Sequence, residues 1–127
     1  MLGNEVADVG NLKYEPSDDY PDFIISCAEK VIQNYGSMGL VIGRSGNGEA
    51  IAANKVKGIR AALCLNEDMA KKAREDNDAN VLALGADFVD KTKAERIAAV
   101  FFDTPFPETD RHVRRLEKIL DYESSHS

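Results

Sequence analysis

The sequence predicts an α/β fold in which a parallel sheet is covered by helices. Three observations predict it. Short apolar runs of strand type, "MGLVIG" (38–43), "IRAALCL" (59–65) and "NVLALG" (80–85), recur along the 127 residues. Between them lie segments with apolar residues at helical spacing, and strands alternating with helices imply βαβ units. One strand run opens directly into a glycine-rich turn, "GRSGNGEA" (43–50). Open α/β sheets keep their ligands beyond the carboxyl ends of strands, which is where this turn falls.

Each element can be justified in order. "EVADVG" (5–10) alternates like a short strand and stops at glycine. "NLKYEPSDDYPD" (11–22), with two prolines, reads as a polar loop. "FIISCAEKVIQNY" (23–35) has helical spacing, with Pro21 and Asp22 before it and Gly36 after it. The strand at 38–43 leads through the glycine turn into "EAIAANKV" (49–56), a short helix. After the strand at 59–65, "NEDMAKKAREDN" (66–77) reads as a helix with Asn66 as its cap. The strand at 80–85 is followed by a helix, "KTKAERIAAVFFD" (91–103), and a turn, "TPFPETD" (104–110). "RHVRRLEKILDY" (111–122) is a final helix with an apolar stripe of Val113, Leu116 and Leu120. The expectation is four strands in one domain over residues 1–122, with a polar tail over 123–127.

Bulk properties bound the function. A chain of 127 residues is long enough for one domain with a core and too short for two. Hydrophobic residues make up 43% and charged residues 30%, an ordinary globular composition. The net charge of −6 argues against a general nucleic-acid partner. There is no apolar run of membrane-spanning length, so no membrane partner is expected. The first ten residues carry no base and no apolar h-region, so no secretory leader is expected and the cytoplasm is the expected compartment. Cys27 and Cys64 sit in apolar surroundings and read as buried free thiols. The two cysteines and two histidines never fall at ligand spacing, so no metal is expected.

The glycine turn carries the chemistry. Gly43, Gly46 and Gly48 let the backbone bend sharply and approach a ligand. Successive N–H groups between a strand and a helix form a nest for an anion. The turn lacks both the Gly-Lys-Ser/Thr of a P-loop and the G-x-G-x-x-G spacing, which disfavours a nucleotide-binding module. Glu49 has two readings: a first-turn acid stabilised by the helix dipole, or a general base beside donors for a developing oxyanion. The last helix crowds Arg111, Arg114 and Arg115 together, and like charges at i,i+4 repel. Either Glu108 and Glu117 balance them on a solvated face, or an anion such as phosphate sits between them.

The stretches "DDYPDF", "GNGEAIAANKVKGIRAALC", "AREDNDANVLALG" and "TPFPETDRHVRRLEKI" together resemble the type B ribose-5-phosphate isomerases and their galactose-6-phosphate isomerase relatives. The resemblance runs from Leu2 to Tyr122. It implies a Rossmann-like parallel sheet with flanking helices, and a homodimer or homotetramer whose active sites are shared between chains. It implies interconversion of aldose and ketose phosphates through a cis-enediolate, with no cofactor, in the manner of the pentose phosphate pathway. One branch of the family has a cysteine base at the position of Gly43. The other has Ser-Gly-Asn-Gly-Glu, and this chain reads Ser45-Gly46-Asn47-Gly48-Glu49. The resemblance therefore implies Glu49 as base, Ser45 at the substrate, and the backbone of Gly46, Asn47 and Gly48 around the enediolate. It also implies Tyr20 and Asn77 as pocket residues. Arg111 and Arg115 would bind phosphate from the partner subunit, with His112 at the pocket edge.

The chain departs from the family pattern in three ways. The Asp-His-Ala-Gly strand and the helix after it are missing, so the first strand of the family fold is expected to be absent. Asp76 stands where the family has a histidine associated with ring opening, and Asp87 where it has a phosphate-binding arginine. Two acids near an anionic substrate repel it, and Arg44 in the turn is a possible substitute for the lost arginine. These departures leave an alternative expectation: a catalytically weak or inactive sugar-phosphate-binding relative.

Overall fold

The computed structural model describes residues 19–126, so the strand expected at 5–10 lies outside the described residues. Eight elements follow: α1 (Tyr20–Gln33), β1 (Gly39–Gly43), α2 (Asn47–Ala53), β2 (Ala61–Leu63), α3 (Glu67–Asn77), β3 (Val81–Gly85), α4 (Lys91–Asp103) and α5 (Asp110–Ser125). The three strands form a parallel sheet in the order β1-β3-β2. The Rossmann-like arrangement expected from the sequence is present: a parallel sheet with helices on both faces.

β3 is the middle one of the three described strands, and all five of its residues are buried. Side chains alternate across a strand, so β3 feeds two cores. Val81 and Ala83 face α1 and α2, where they join Ile24, Ala28, Val31, Ala52 and Ala53. Leu82 and Leu84 face α3 and α4, where they join Ala70, Ala73, Ile97 and Phe101. A strand apolar on both faces suits a parallel sheet sandwiched by helices. Both cysteines are free. Burial pushes the Cys64 thiol up to about 11. Burial also raises Cys27, against an opposing hydrogen bond with the Leu40 backbone.

Several boundaries shift from those expected. α1 starts at Tyr20 rather than residue 23, because Pro21 lies in its first turn, where proline's fixed φ suits a helix. α2 starts at Asn47, with Gly46 as its cap at φ 83°, and stops at Ala53. The Asn54 side chain then pairs with both backbone groups of Ala61, at 2.7 and 3.1 Å, tying the end of the helix to β2. Asn66 caps α3 as expected, accepting from the Met69 amide at 2.8 Å. α4 spans its expected residues, with Asp90 accepting from the Lys93 amide at 2.8 Å. α5 continues three residues past Tyr122. Glu123 accepts from the Gly58 amide at 2.8 Å, and His126 stacks on Tyr122 at 3.9 Å.

Candidate active site

β1 and β3 end side by side on glycines, with Gly43 in register with Gly85. Their following turns are joined: Ala86 donates to the Gly43 carbonyl and Asp87 to the Arg44 carbonyl, both at 2.8 Å. A Cβ at Gly85 would collide with the Ser45 carbonyl, so this glycine lets the turn lie directly over the end of β3. Gly46 is in left-handed backbone, and a Cβ there would come within 2.9 Å of the Leu84 backbone. The Ser45 hydroxyl accepts from the Asn47 amide at 3.2 Å, closing the turn just before α2.

Glu49 is in the first turn of α2 and is one of two buried charged side chains among the described residues, at 8% exposure. Its carboxylate occupies the space beside Gly43, where any Cβ would overlap it. Isolated buried carboxylates are costly, and the helix N-terminus offsets part of that cost. Tyr20, at the start of α1, brings its hydroxyl against Gly48, so that glycine too is a clearance. Tyr20, Ser45, Gly46, Asn47, Gly48 and Glu49 therefore meet at the carboxyl end of the sheet.

The remaining candidates lie elsewhere. α3 returns from the end of β2 to the start of β3, so Asn77 sits at the amino end of the sheet. Five strand residues at about 3.3 Å each put roughly 15 Å between that pole and the glycine turn. Asn77 is exposed there. His112 Nε2 lies 3.5 Å from the Asp76 carboxylate, which places the start of α5 at the same pole. Arg111, Arg114 and Arg115 are exposed on α5. Among the described residues, neither Glu108 nor Glu117 forms an ion pair with them. One chain thus places the two groups of candidate residues at opposite poles of the sheet.

The two acids that looked misplaced in the sequence each lie beside an arginine or histidine side chain. Asp87 is 3.5 Å from Arg44, with both side chains well exposed. Asp76 is held by His112. The sequence reading missed Arg60, Arg74 and Asp78, which close the end of α3 beside Asn77. The one available signal was Asp78, an acid that tolerates left-handed backbone, directly after a helix. Among the described residues no cluster of three or more histidine, cysteine or carboxylate side chains could hold a metal. No described helix is long and apolar enough to cross a membrane.

A parallel sheet with a glycine turn beyond the carboxyl end of a strand defines an α/β protein of the class that places its ligands at that end. Comparison with known proteins narrows the class. Residues 1–119 match the profile of the ribose/galactose isomerase family, and the chain belongs to that family. It is 42% identical over 126 residues to ribose-5-phosphate isomerase B of Mycobacterium tuberculosis, covering 99% of this chain and 78% of that protein. Among solved structures, ribose-5-phosphate isomerase B of Clostridium thermocellum superposes with a TM-score of 0.92 at 45% identity, over 98% of this chain and 83% of that one. Ribose-5-phosphate isomerase B of Mycoplasma genitalium, solved with bound ribulose 5-phosphate, gives a TM-score of 0.86 at 41% identity, over 91% and 76%. By family the protein is an aldose–ketose isomerase.

Proposed function

We propose that the chain interconverts ribose 5-phosphate and ribulose 5-phosphate through a cis-enediolate, with Glu49 as the base. The observation that carries this reading is the buried Glu49 carboxylate beside Gly43, at the mouth of the glycine turn. On the open-chain aldose, Glu49 takes the proton from C2 while negative charge gathers on O1. Backbone N–H groups of Gly46, Asn47 and Gly48 stabilise that oxygen, and preorganised donors are worth most when charge develops in the transition state. Protonated Glu49 returns the proton to C1, O2 becomes the ketone oxygen, and the second enediol proton moves from O2 to O1. Ser45 and Tyr20 hold the hydroxyls near the reacting carbons. No metal or organic cofactor enters the reaction.

The phosphate is held by Arg111 and Arg115 of a second chain, with Asn77 beside them. The two-pole geometry supports this division, since within one chain the two groups of residues lie too far apart to meet one five-carbon substrate. The working unit is then a homodimer or a dimer of dimers, and residues 1–122 act as its single sugar-phosphate isomerase domain.

Glu49→Gln tests the mechanism. The expected result is a loss in kcat of about 10³-fold or more with KM little changed, since general-base catalysis contributes roughly 10²–10⁴-fold. Full turnover by the variant would sink the assignment. Asp76 and Asp87 favour a second reading, a catalytically weak relative that binds the sugar phosphate. Calorimetry showing tight ribose 5-phosphate binding without turnover by the unmodified chain would select it.

A further inference from the structure

Asn77 is the last residue of α3, and helix ends leave carbonyls that need partners. The chain continues into Asp78 at φ 45° and ψ 44°, left-handed backbone that few residues with a Cβ adopt. The Asp78 amide donates to the Arg74 carbonyl at 3.2 Å and the Ala79 amide to the Ala73 carbonyl at 3.0 Å, which terminates the helix. A carboxylate at this end meets the negative pole of the helix dipole, an unfavourable placement. Two arginines offset it. Arg74 Nη1 is 3.0 Å from one Asp78 oxygen, and Arg60 Nη2 is 3.4 Å from the other.

The two arginines differ in kind. Arg74 is 8% exposed, lies over the Phe101 ring at 5.9 Å, and donates to the Thr104 carbonyl at 2.9 Å. It joins α3 to α4 and to the core. Arg60 reaches the turn and, through Nη1, the Gly58 carbonyl at 3.4 Å. Its Nε donates to the carbonyls of Asn77, at 3.1 Å, and Asp78, at 3.0 Å. Its own amide donates to the Asn80 side chain at 2.8 Å. One residue before Asn77, Asp76 meets His112, the sequence neighbour of Arg111. A line of polar contacts therefore runs from Arg60 through the peptide of Asn77 to the start of α5.

We infer that Arg60 is a positioning residue for the substrate half-site at the amino end of the sheet. It fixes the peptide that carries Asn77 and, through Asp76 and His112, the start of the helix that carries Arg111 and Arg115. It touches no substrate. The inference rests on the function proposed above, in which those residues bind the phosphorylated sugar.

The test uses Arg60→Gln, Arg60→Lys and Asp78→Gly in the full chain, with kcat and KM for ribose 5-phosphate and a thermal melt for each. Arg60→Gln is expected to raise KM about tenfold with kcat held within about threefold, the pattern of lost binding rather than lost chemistry. Arg60→Lys, which keeps the charge without the fork, should fall between that variant and the unmodified chain. Asp78→Gly relieves the left-handed backbone, so it should fold well and still raise KM. An unchanged KM in both Arg60→Gln and Asp78→Gly, with or without a lower melting temperature, would reduce the cluster to a helix stop and overturn the inference. If the unmodified chain binds ribose 5-phosphate without turnover, the same shifts are expected in Kd. A folded chain with neither turnover nor binding overturns the functional reading itself and this inference with it, whereas failure of the inference alone leaves the unmodified chain active.

Discussion

At the scale of single residues, the molecule is organised around what glycine omits. Gly43 and Gly48 leave room for the Glu49 carboxylate and the Tyr20 hydroxyl respectively. Gly43→Ala should therefore displace Glu49 directly. A misplacement of about 1 Å can cost roughly 10²-fold in rate, and overpacking a filled site costs about 1–3 kcal/mol. Steady-state kinetics and a urea titration of that variant would check both figures, and near-normal turnover would mean that Glu49 has room to move. The thiols give a second prediction. A thiol attacks as its thiolate, and burial holds Cys64 at about 11. Cys64 should stay unreactive toward a thiol reagent at pH 8 in the folded protein and react fully in denaturant. The place of Glu49 at the start of α2 was legible in the sequence because its motif is local. The clearance at Gly43 was not, because it depends on a helix folding back over the end of its own strand. The grip of Arg60 on the Asn77 peptide was equally hidden, since it spans seventeen positions with no spacing rule to announce it.

At the scale of elements, α3 and α4 are tied at their N-terminal ends by Glu67, which pairs with Lys93 and Arg96. The hydrogen bond from Lys93 is the main cause that holds the Glu67 carboxyl below its usual range. A depressed folded-state pKa stabilises above the ordinary carboxylate pKa and ceases to do so as pH falls through the folded value. Glu67→Gln should therefore melt with less dependence on pH between roughly 5 and 3 than the unmodified chain, and the two should converge at the acid end. Because the group is exposed, parallel melting curves in moderate salt would show screening rather than contradict the pairing. α5 offers a cleaner anchor in the bond between Glu123 and the Gly58 amide. Glu123→Ala should lower stability by about 1 kcal/mol, measured in urea. Most element positions followed from periodicity and caps, as at α3 with Asn66. The start of α2 did not, because a left-handed glycine can cap a helix where no serine or aspartate signals it. The continuation of α5 escaped notice because residues 123–126 are polar, and their support comes from Gly58 and from the stacked Tyr122 and His126.

At the scale of the whole molecule, the two poles of the sheet make a complementation experiment possible. Glu49→Gln and Arg111→Ala should each be nearly inactive alone. In a mixed dimer one site receives both lesions and the other neither. Random reassortment makes about half of the dimers mixed, so about a quarter of full activity should return. No recovery after verified subunit exchange would place both half-sites in one chain's service and contradict the shared arrangement. The strand order was not legible in advance: three apolar runs look alike until pairing sorts them, although the uninterrupted apolar stretch at 81–85 agrees with its central place. That place has a consequence for the protein's birth. Both flanking strands are made before β3, and neither pairs with the other. While the ribosome is still adding residues before 81, the nascent polypeptide has β1 and β2 without the strand that lies between them among the described residues. The pairing of β1 and β2 with β3 must wait for the emergence of Gly85, and until then the edges that β3 will cover are open to aggregation or chaperone capture.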